Sequence, residues 1–565
     1  MKYSLNINKR FVILAFIAAG FSVIQLVSTY IFHYNSFSYT ATNVWLFNIL
    51  LLITFFILYF IGGNIVYWLL DKCHHTETTT QDRKNNSSKR AWVYFFVILA
   101  GWSPWLYAFY PGSLWFDMCY EYDQYYGAYR FDSIMQFPPF PTYIMGLLMD
   151  MGKSLFKSDN VGMFLYIALQ TIVCAFACTR AISLLEEIKV NRKLIYVLLT
   201  VYAFFPDFGA NAQLGANNVL NYGLTLLACT YVYRIYRQIS EKEVSGRTVF
   251  LCVGYINCTF LSILWRKEML YIYLFITAIL CIYSFRSKFR KIFTVLMYGI
   301  IIFLLSSTFS EKIVIERLMG QTFNTAGDIK ALSLPLRQVA RFVYYHDDLV
   351  TSEEREILNR CFKYGYEGIH QNYNPNLSDS LIFNFQLNNV TKTEFYKIYM
   401  SFLMKDPMLF LESLVAGSYG YFSILPNAPT TVNNAPTNGT PGSRLVWLWI
   451  NKDPDKSFGN VSGIQFRPET NELRNKLADW LMELERSFNL FFGFGLYSFF
   501  LMLLCSYSIL KSKKITALIP YTIPMMLCLV CIASPVNDYD RYYMGIFYCM
   551  PFIRKCSLVK NRHAP

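Results

Sequence analysis

Residues 45–70 read WLFNILLLITFFILYFIGGNIVYWLL, an apolar run without one charged side chain. About 20 such residues are what a helix needs to cross the hydrocarbon core of a bilayer. Similar runs recur nearly from end to end of the 565-residue chain, which is 54% AVILMFWYC and 18% aromatic. Only 16% of it is charged, against about 25% in soluble domains. These figures exclude a disordered chain, a coiled coil and an ordinary soluble enzyme. The fold class they indicate is an all-α polytopic membrane protein. A β-barrel would show short alternating strands instead. The first run, Phe11 to Phe32, is too long for the apolar part of a cleavable signal peptide and reads as the first anchor.

The formal charge is +14, and its placement explains it without nucleic acid. Seven segments between apolar runs (1–10, 71–90, 180–193, 234–248, 286–291, 511–514 and 554–565) hold 27 of the 51 Lys and Arg residues but 7 of the 37 acids. The remainder of the chain is net acidic. This is the positive-inside bias. It predicts about twelve spanning helices, near 11–33, 45–70, 92–110, 160–180, 194–206, 216–237, 249–265, 269–285, 292–308, 487–511, 515–533 and 541–555. Both termini then lie on the cytoplasmic side. The apolar runs 141–157 and 406–425 break the parity if counted, and are read as juxtamembrane or re-entrant on the other side.

Three long segments fall outside. The first, 110–159, is acidic and aromatic. The second, 309–405, is polar and helical by pattern, a small domain between spans. The third, 426–486, is rich in Pro, Asn, Thr and Gly, and is expected to be a mobile loop. The chain thus divides into a transmembrane core (1–308) with an external loop at 110–159, an extracytoplasmic part (309–486) and C-terminal spans (487–565). No internal repeat is present. Of the fourteen Cys, Cys119 and Cys361 fall clearly outside the spans, where a disulfide between them is one option. Cys528 and Cys531 are two small apolar side chains on one helix. Cys73-His74-His75 lacks further ligands at metal spacing.

Asp117 is the main candidate for chemistry. It follows the aromatic stretch Tyr110-Pro111-Gly112-Ser113-Leu114-Trp115-Phe116, and a carboxylate so placed can take a proton from a hydroxyl. The competing reading is a solvated or capping acid. Glu121 lies one helical turn on, with Asp123 two residues further. The cluster has the chemistry to hold an acceptor or a divalent cation, and equally that of a wet loop. Phe137-Pro138-Pro139-Phe140-Pro141 reads as a rigid turn. Arg266-Lys267-Glu268 interrupts two apolar spans, where charge is costly and often functional. Arg541 opens the last span after Ser534-Pro535-Val536-Asn537-Asp538-Tyr539-Asp540. A guanidinium there suits bidentate capture of phosphate, or serves as an interfacial anchor.

Taken in order, these landmarks resemble bacterial membrane proteins of the glycosyltransferase-C superfamily. They are Tyr110-Pro111-Gly112 with Asp117, Pro138-Pro139, and Leu332-Ser333-Leu334-Pro335-Leu336-Arg337-Gln338-Val339-Ala340-Arg341. Tyr373-Asn374-Pro375-Asn376-Leu377-Ser378-Asp379, Tyr419-Gly420-Tyr421-Phe422, and Ser534-Pro535-Val536-Asn537 with Arg541-Tyr542 complete the set. The resemblance covers roughly residues 95–555. It implies a core of the superfamily's type in the bacterial cytoplasmic membrane and an inverting transfer of sugar from a polyprenyl-phosphate donor to an envelope glycan or lipid-linked acceptor on the outer face. Asp117 is the matching catalytic base. Arg541, Arg266 and Lys267 are the positions for the donor phosphate. The chain departs from the pattern at three places. Phe137-Pro138-Pro139 stands where relatives have His-His-Pro-Pro, Asn217-Asn218 replaces a Lys-Asp pair, and Arg266-Lys267-Glu268-Met269 replaces Arg-Asn-Asn-Gly. The other readings are a polymerase or ligase of lipid-linked oligosaccharides, a transporter or flippase of lipid-linked sugars, and a non-catalytic scaffold.

Overall fold

In the computed structural model, the described residues are 2–37, 45–74, 87–127, 137–188, 190–322, 332–386, 389–424, 464, 471–489 and 493–556. They are almost entirely helical. The first half runs α1 (Lys2–Tyr34), α2 (Trp45–His74), α3 (Ser87–Ala108), α4 (Phe116–Tyr125), α5 (Pro139–Phe156), α6 (Asp159–Glu187), α7 (Arg192–Phe204), α8 (Pro206–Ala212), α9 (Asn217–Ser240), α10 (Gly246–Trp265), α11 (Met269–Arg286), α12 (Arg290–Leu304) and the short α13 (Ser306–Thr308). The second half runs α14 (Ser333–Tyr345), α15 (Ser352–Cys361), α16 (Gly365–Asn372), α17 (Asp379–Asn384), α18 (Asn389–Lys405), α19 (Pro407–Ala416), α20 (Glu472–Asn489), α21 (Phe494–Ser512), α22 (Thr522–Ile532) and α23 (Asp540–Cys556). Two two-residue strands, β1 (Ser113–Leu114) and β2 (Leu214–Gly215), pair in parallel.

Eight of the described helices are long and apolar enough to cross a membrane, or ten if two bent pairs each count as one span. The protein is therefore an all-α polytopic membrane protein. The bends have identifiable causes. Pro206 opens α8 and breaks it from α7 by 48°, because proline cannot continue the hydrogen-bond ladder. The segment Ser306–Leu318 leaves α12 at 42° and winds as a π-helix from Phe309. Two expected spans, α9 and α23, do not meet the same measure: α23 is only 17 residues long, and α9 is too polar. They lie inside the bundle, packed on each other and on α6, α10 and α21, and α9 is buried along nearly its whole length. A helix enclosed by protein has no lipid face to keep apolar, so α9 carries Asn217, Asn218, Asn221, Thr225 and Thr230 in the interior. At the other extreme α2 turns most of its surface outward, with only 17% of its apolar window buried.

Boundaries shift where the sequence pattern merges neighbours. The 487–511 run begins as a helix only at Phe494. Ahead of it α20 occupies part of the segment expected to be a mobile loop. It is amphipathic. Ala478, Leu481 and Met482 are buried while Leu473 and Trp480 face outward, and it packs on α3 and α8. The rest of that loop, 426–463 and 465–470, lies outside the described residues, as does His75 of the Cys73-His74-His75 motif. Among the described residues of the 406–425 run the α-helix is the ten-residue α19, about 15 Å long, followed by a 3-10 turn at Tyr419–Tyr421.

Helices α14 to α19 gather around a second hydrophobic core that includes Leu336, Phe342, Phe362, Phe385 and Phe402. Cys361 belongs to this core, whereas Cys119 is buried with Met145 and Met163 beside α4. Both thiols are free, so the disulfide considered between them does not form. The small domain meets the bundle along a seam just before α23. Leu377 and Val536 form an antiparallel bridge. Ser378 N donates to Pro535 O and Asn537 N to Asn376 O, both at 2.9 Å. Tyr421 O–H donates to Val536 O at 2.9 Å, and Gly420 N to Asn537 Oδ1 at 2.9 Å.

Candidate functional site

The site is built where two helices start side by side. After α3 the chain turns through a cis Tyr110-Pro111 bond and Gly112 at φ +130°. Glycine is required there, because a Cβ would stand 2.8 Å from Ile167 and 3.0 Å from the Gln213 carbonyl. Ser113 is then clamped to Gln213, whose Oε1 accepts from its amide at 3.0 Å and its hydroxyl at 2.8 Å. The β1–β2 pairing follows, and each strand leads at once into a helix: β1 into α4 and β2 into α9. Two helix N-termini, with their unbonded N–H groups and positive dipole ends, are thereby fixed next to one another. Arg474 of α20 braces the same turn, with Nε on Ala108 O at 3.0 Å and Nη2 on Tyr110 O.

Asp117 lies in the first turn of α4. Its carboxylate forms an ion pair with Arg541 of α23, and both side chains are about one-fifth exposed. Arg266, following the last residue of α10, joins them. Its Nη1 donates to the Arg541 carbonyl at 3.1 Å, and its Nη2 pairs with Glu268. The two guanidinium carbons sit 5.5 and 5.8 Å from the Tyr542 ring centroid, a cation–π arrangement. Two arginines thus flank one tyrosine, each paired with a carboxylate. Burial works to raise the Glu268 carboxyl, but the Arg266 guanidinium, a backbone hydrogen bond and Arg541 together outweigh it and hold the group below the usual carboxylate range. The Nε atoms of both arginines are buried without an acceptor among the described residues.

The other predicted residues take separate places. Glu121, one turn along α4, is fully buried and accepts from Asn217 Nδ2 at 2.6 Å. Asn218 beside it is 1% exposed, with neither side-chain polar atom partnered among the described residues. Asp123, two residues after Glu121, projects from the opposite side of the helix and is also buried. Lys267 is exposed on the turn between α10 and α11. Among the described residues no group of three or more His, Cys, Asp and Glu side chains is arranged to hold a metal ion, and Glu121 and Asp123 do not converge on one point. Phe137-Pro138-Pro139 is a turn that starts α5, with Pro139 in its first position. Phe137 stacks on Tyr120 at 5.8 Å, and Phe140 meets Trp265 edge-on at 5.3 Å.

Several contributors carry no local signal in the sequence. Trp115 stacks on Tyr539 at 5.3 Å and 14°. Tyr222 donates to the Arg541 carbonyl at 3.3 Å. Ser262 bridges Asn221 and Tyr273. The landmark segments around 337, 376, 420 and 536 meet along the seam directly before Arg541.

Set against known families, residues 135–564 match a family of unknown function (DUF6020), and the chain belongs to that family. Arg266, Arg337 and Arg541 fall within the matched stretch, whereas Asp117, Glu121 and Asp123 precede it. Neither a curated protein nor a solved structure matches the chain.

Proposed function

We propose that this family member is an inverting membrane glycosyltransferase. It takes a sugar from a polyprenyl-phosphate donor and passes it to a cell-envelope glycan or lipid-linked acceptor on the outer face. The observation that carries the reading is the meeting of Asp117, Arg541 and Arg266. A carboxylate and two guanidiniums from three distant parts of the chain share one partly exposed site beside two helix N-termini. That is the equipment a displacement from an anionic leaving group requires. Asp117 takes the proton of an acceptor hydroxyl, whose oxygen attacks the anomeric carbon on the face opposite the phosphate. The bond from that carbon to the phosphate oxygen breaks, and its electron pair goes to the phosphate. Arg541 and Arg266 stabilise the charge that develops there, with Lys267 at the rim.

A cavity of about 290 Å³ between α10 and α12, lined by Ile256, Phe260, Tyr298 and Ile302 among others, supports a lipid donor. It lies on the helix that ends at Trp265 and Arg266, so a prenyl chain in it would lead toward the arginines. The reading carries with it a glycosyltransferase-C-type core of twelve crossings, in which α9 and α23 cross inside the bundle. Both termini are then on the cytoplasmic side of the bacterial membrane. The test is the envelope glycan composition of a deletion strain complemented with wild type or Asp117→Asn at equal membrane abundance. Restoration of a missing sugar by wild type alone supports the reading. Equal restoration by both removes Asp117 as the base.

A further inference from the structure

Arg337 of α14 is one of the largest fully buried side chains in the chain. Its Nη1 reaches Ser378 Oγ at 3.4 Å, a long contact. Among the described residues its Nε and Nη2 have no acceptor, and no carboxylate lies within ion-pair distance. Arg341, one turn on, shows the contrast. It is held by Glu412 at 2.7 Å, Asn35 Oδ1 at 2.9 Å and the Tyr373 hydroxyl at 2.8 Å. Burial pushes the Arg337 guanidinium down to about 10, so it remains charged at neutral pH. An unpaired buried charge is costly and is retained only where something compensates it.

The geometry around Arg337 is specific. A Cβ on Gly417 would fall 1.8 Å from Nη2 and 2.0 Å from Cζ. The flat face of the guanidinium therefore lies against the Gly417 backbone, and only glycine permits it. What remains is the Nε–Nη2 edge, the edge that engages two oxygens of one anion. Ser378 and Tyr373 add to it. Each hydroxyl accepts from an arginine and keeps its own proton to donate. A cation with donors on several sides suits an anion with three oxygens better than a carboxylate with two.

We propose that Arg337, with Ser378 and Tyr373, binds a phosphate-class oxyanion at the seam between the small domain and the bundle. This site is separate from the Asp117–Arg541 pair and holds whether or not the protein transfers a sugar. Arg337 is closed to solvent in this structure, and the segment 376–378, whose Ser378 touches it, hydrogen-bonds to residues 535–537. The anion enters when that seam parts, and its source is the headgroup of a polyprenyl phosphate or free phosphate.

The test uses the full-length protein in nanodiscs, with two probes: inorganic phosphate in solution, against chloride at equal ionic strength, and polyprenyl phosphate in the disc. The readouts are the thermal unfolding midpoint and amide exchange in 373–379 and 535–537. One probe or both should raise the midpoint and slow exchange at the seam. The slowed exchange at the seam should vanish in Arg337→Gln, weaken several-fold in Ser378→Ala, and persist in Arg541→Gln, whatever part of the lipid's midpoint shift arises at Arg541. A response to inorganic phosphate identifies the free ion as a ligand, and a response to the disc alone identifies the lipid headgroup. Should Arg337→Gln fail to fold, Ser378→Ala decides. No response in wild type, an unaltered response in Ser378→Ala, or loss in Arg541→Gln alone would overturn the proposal.

Discussion

The carboxylate of Asp117 in the first turn of α4 is paired with the guanidinium of Arg541 in α23. The proposed base and the proposed phosphate ligand therefore occupy each other before any substrate arrives. An incoming phosphate has to compete with Asp117 for Arg541, and in winning it would leave the carboxylate free to accept a proton.

That competition gives Asp117→Asn two effects of opposite sign. Sugar transfer should fall about 10²–10⁴-fold, the range of a lost general base. Binding of polyprenyl phosphate at Arg541 should tighten about two- to fivefold, since a partly exposed ion pair is worth about 0.5–1 kcal/mol. Arg541→Gln should lose both. The measurement is binding of polyprenyl phosphate in nanodiscs, counting the component that Arg541→Gln removes. Weaker binding in Asp117→Asn would show that the acid assists the phosphate instead of competing with it.

The buried pair of Arg341 and Glu412 ties the end of α1 to the small domain. Glu412 Oε1 also accepts from Ser36 Oγ at 3.0 Å and from the Phe37 amide. Removing one partner strands the other charge in the interior. Glu412→Ala should therefore cost about 3–5 kcal/mol, and Glu412→Gln less, because the amide still accepts. Denaturant midpoints of the two variants against wild type check this. Equal losses would mean that the charge carries the whole contribution and the retained acceptor none.

Gly417→Ala should destabilise by about 1–3 kcal/mol, the scale of overpacking in a tight interior, because the new methyl group has to displace the Arg337 guanidinium. Arg337→Ala removes the obstacle, so the double variant should be less damaged than the sum of the singles. Thermal unfolding of the four proteins gives the cycle directly. Strict additivity would place the strain elsewhere.

How far these features were legible in the sequence follows from how far apart their parts lie. The lipid-facing helices announce themselves, because a helix such as α2 has to be apolar along its own length. Helix α9 is harder to see, since its neighbours supply its solvent and its interior face is rich in asparagine. Asp117, Arg266 and Arg541 each stand out as charges at the edge of an apolar run. Their meeting depends on the β1–β2 contact and on the placement of α23, which no local pattern encodes. Glu121 and Asp123 share a short acidic stretch, yet helix geometry sends them to opposite sides. Arg337 and Gly417 belong to different elements of the small domain, so the need for glycine is visible only once α14 packs against the end of α19.

The small domain should loosen in acid, and Glu354 gives the sign. It completes the capping box of α15, its Oε2 accepting from the Thr351 amide at 2.9 Å. It also takes Lys405 Nζ at 2.8 Å and the Ser401 hydroxyl at 2.7 Å. Burial acts to raise its carboxyl, but Lys405 and these hydrogen bonds prevail and hold it below the usual range. A group lowered on folding contributes fully above its unfolded value of about 4.3 and loses that contribution as pH falls through the folded value. Glu354→Gln should thus cost the cap about 1–2 kcal/mol at pH 7, seen as faster amide exchange across α15 and α18. Once the pH has fallen below the folded value the wild type is itself protonated, so the two proteins should converge there once exchange is corrected for its intrinsic pH dependence. A gap of the same size at both pH values would show that the Glu354 charge does not support the cap.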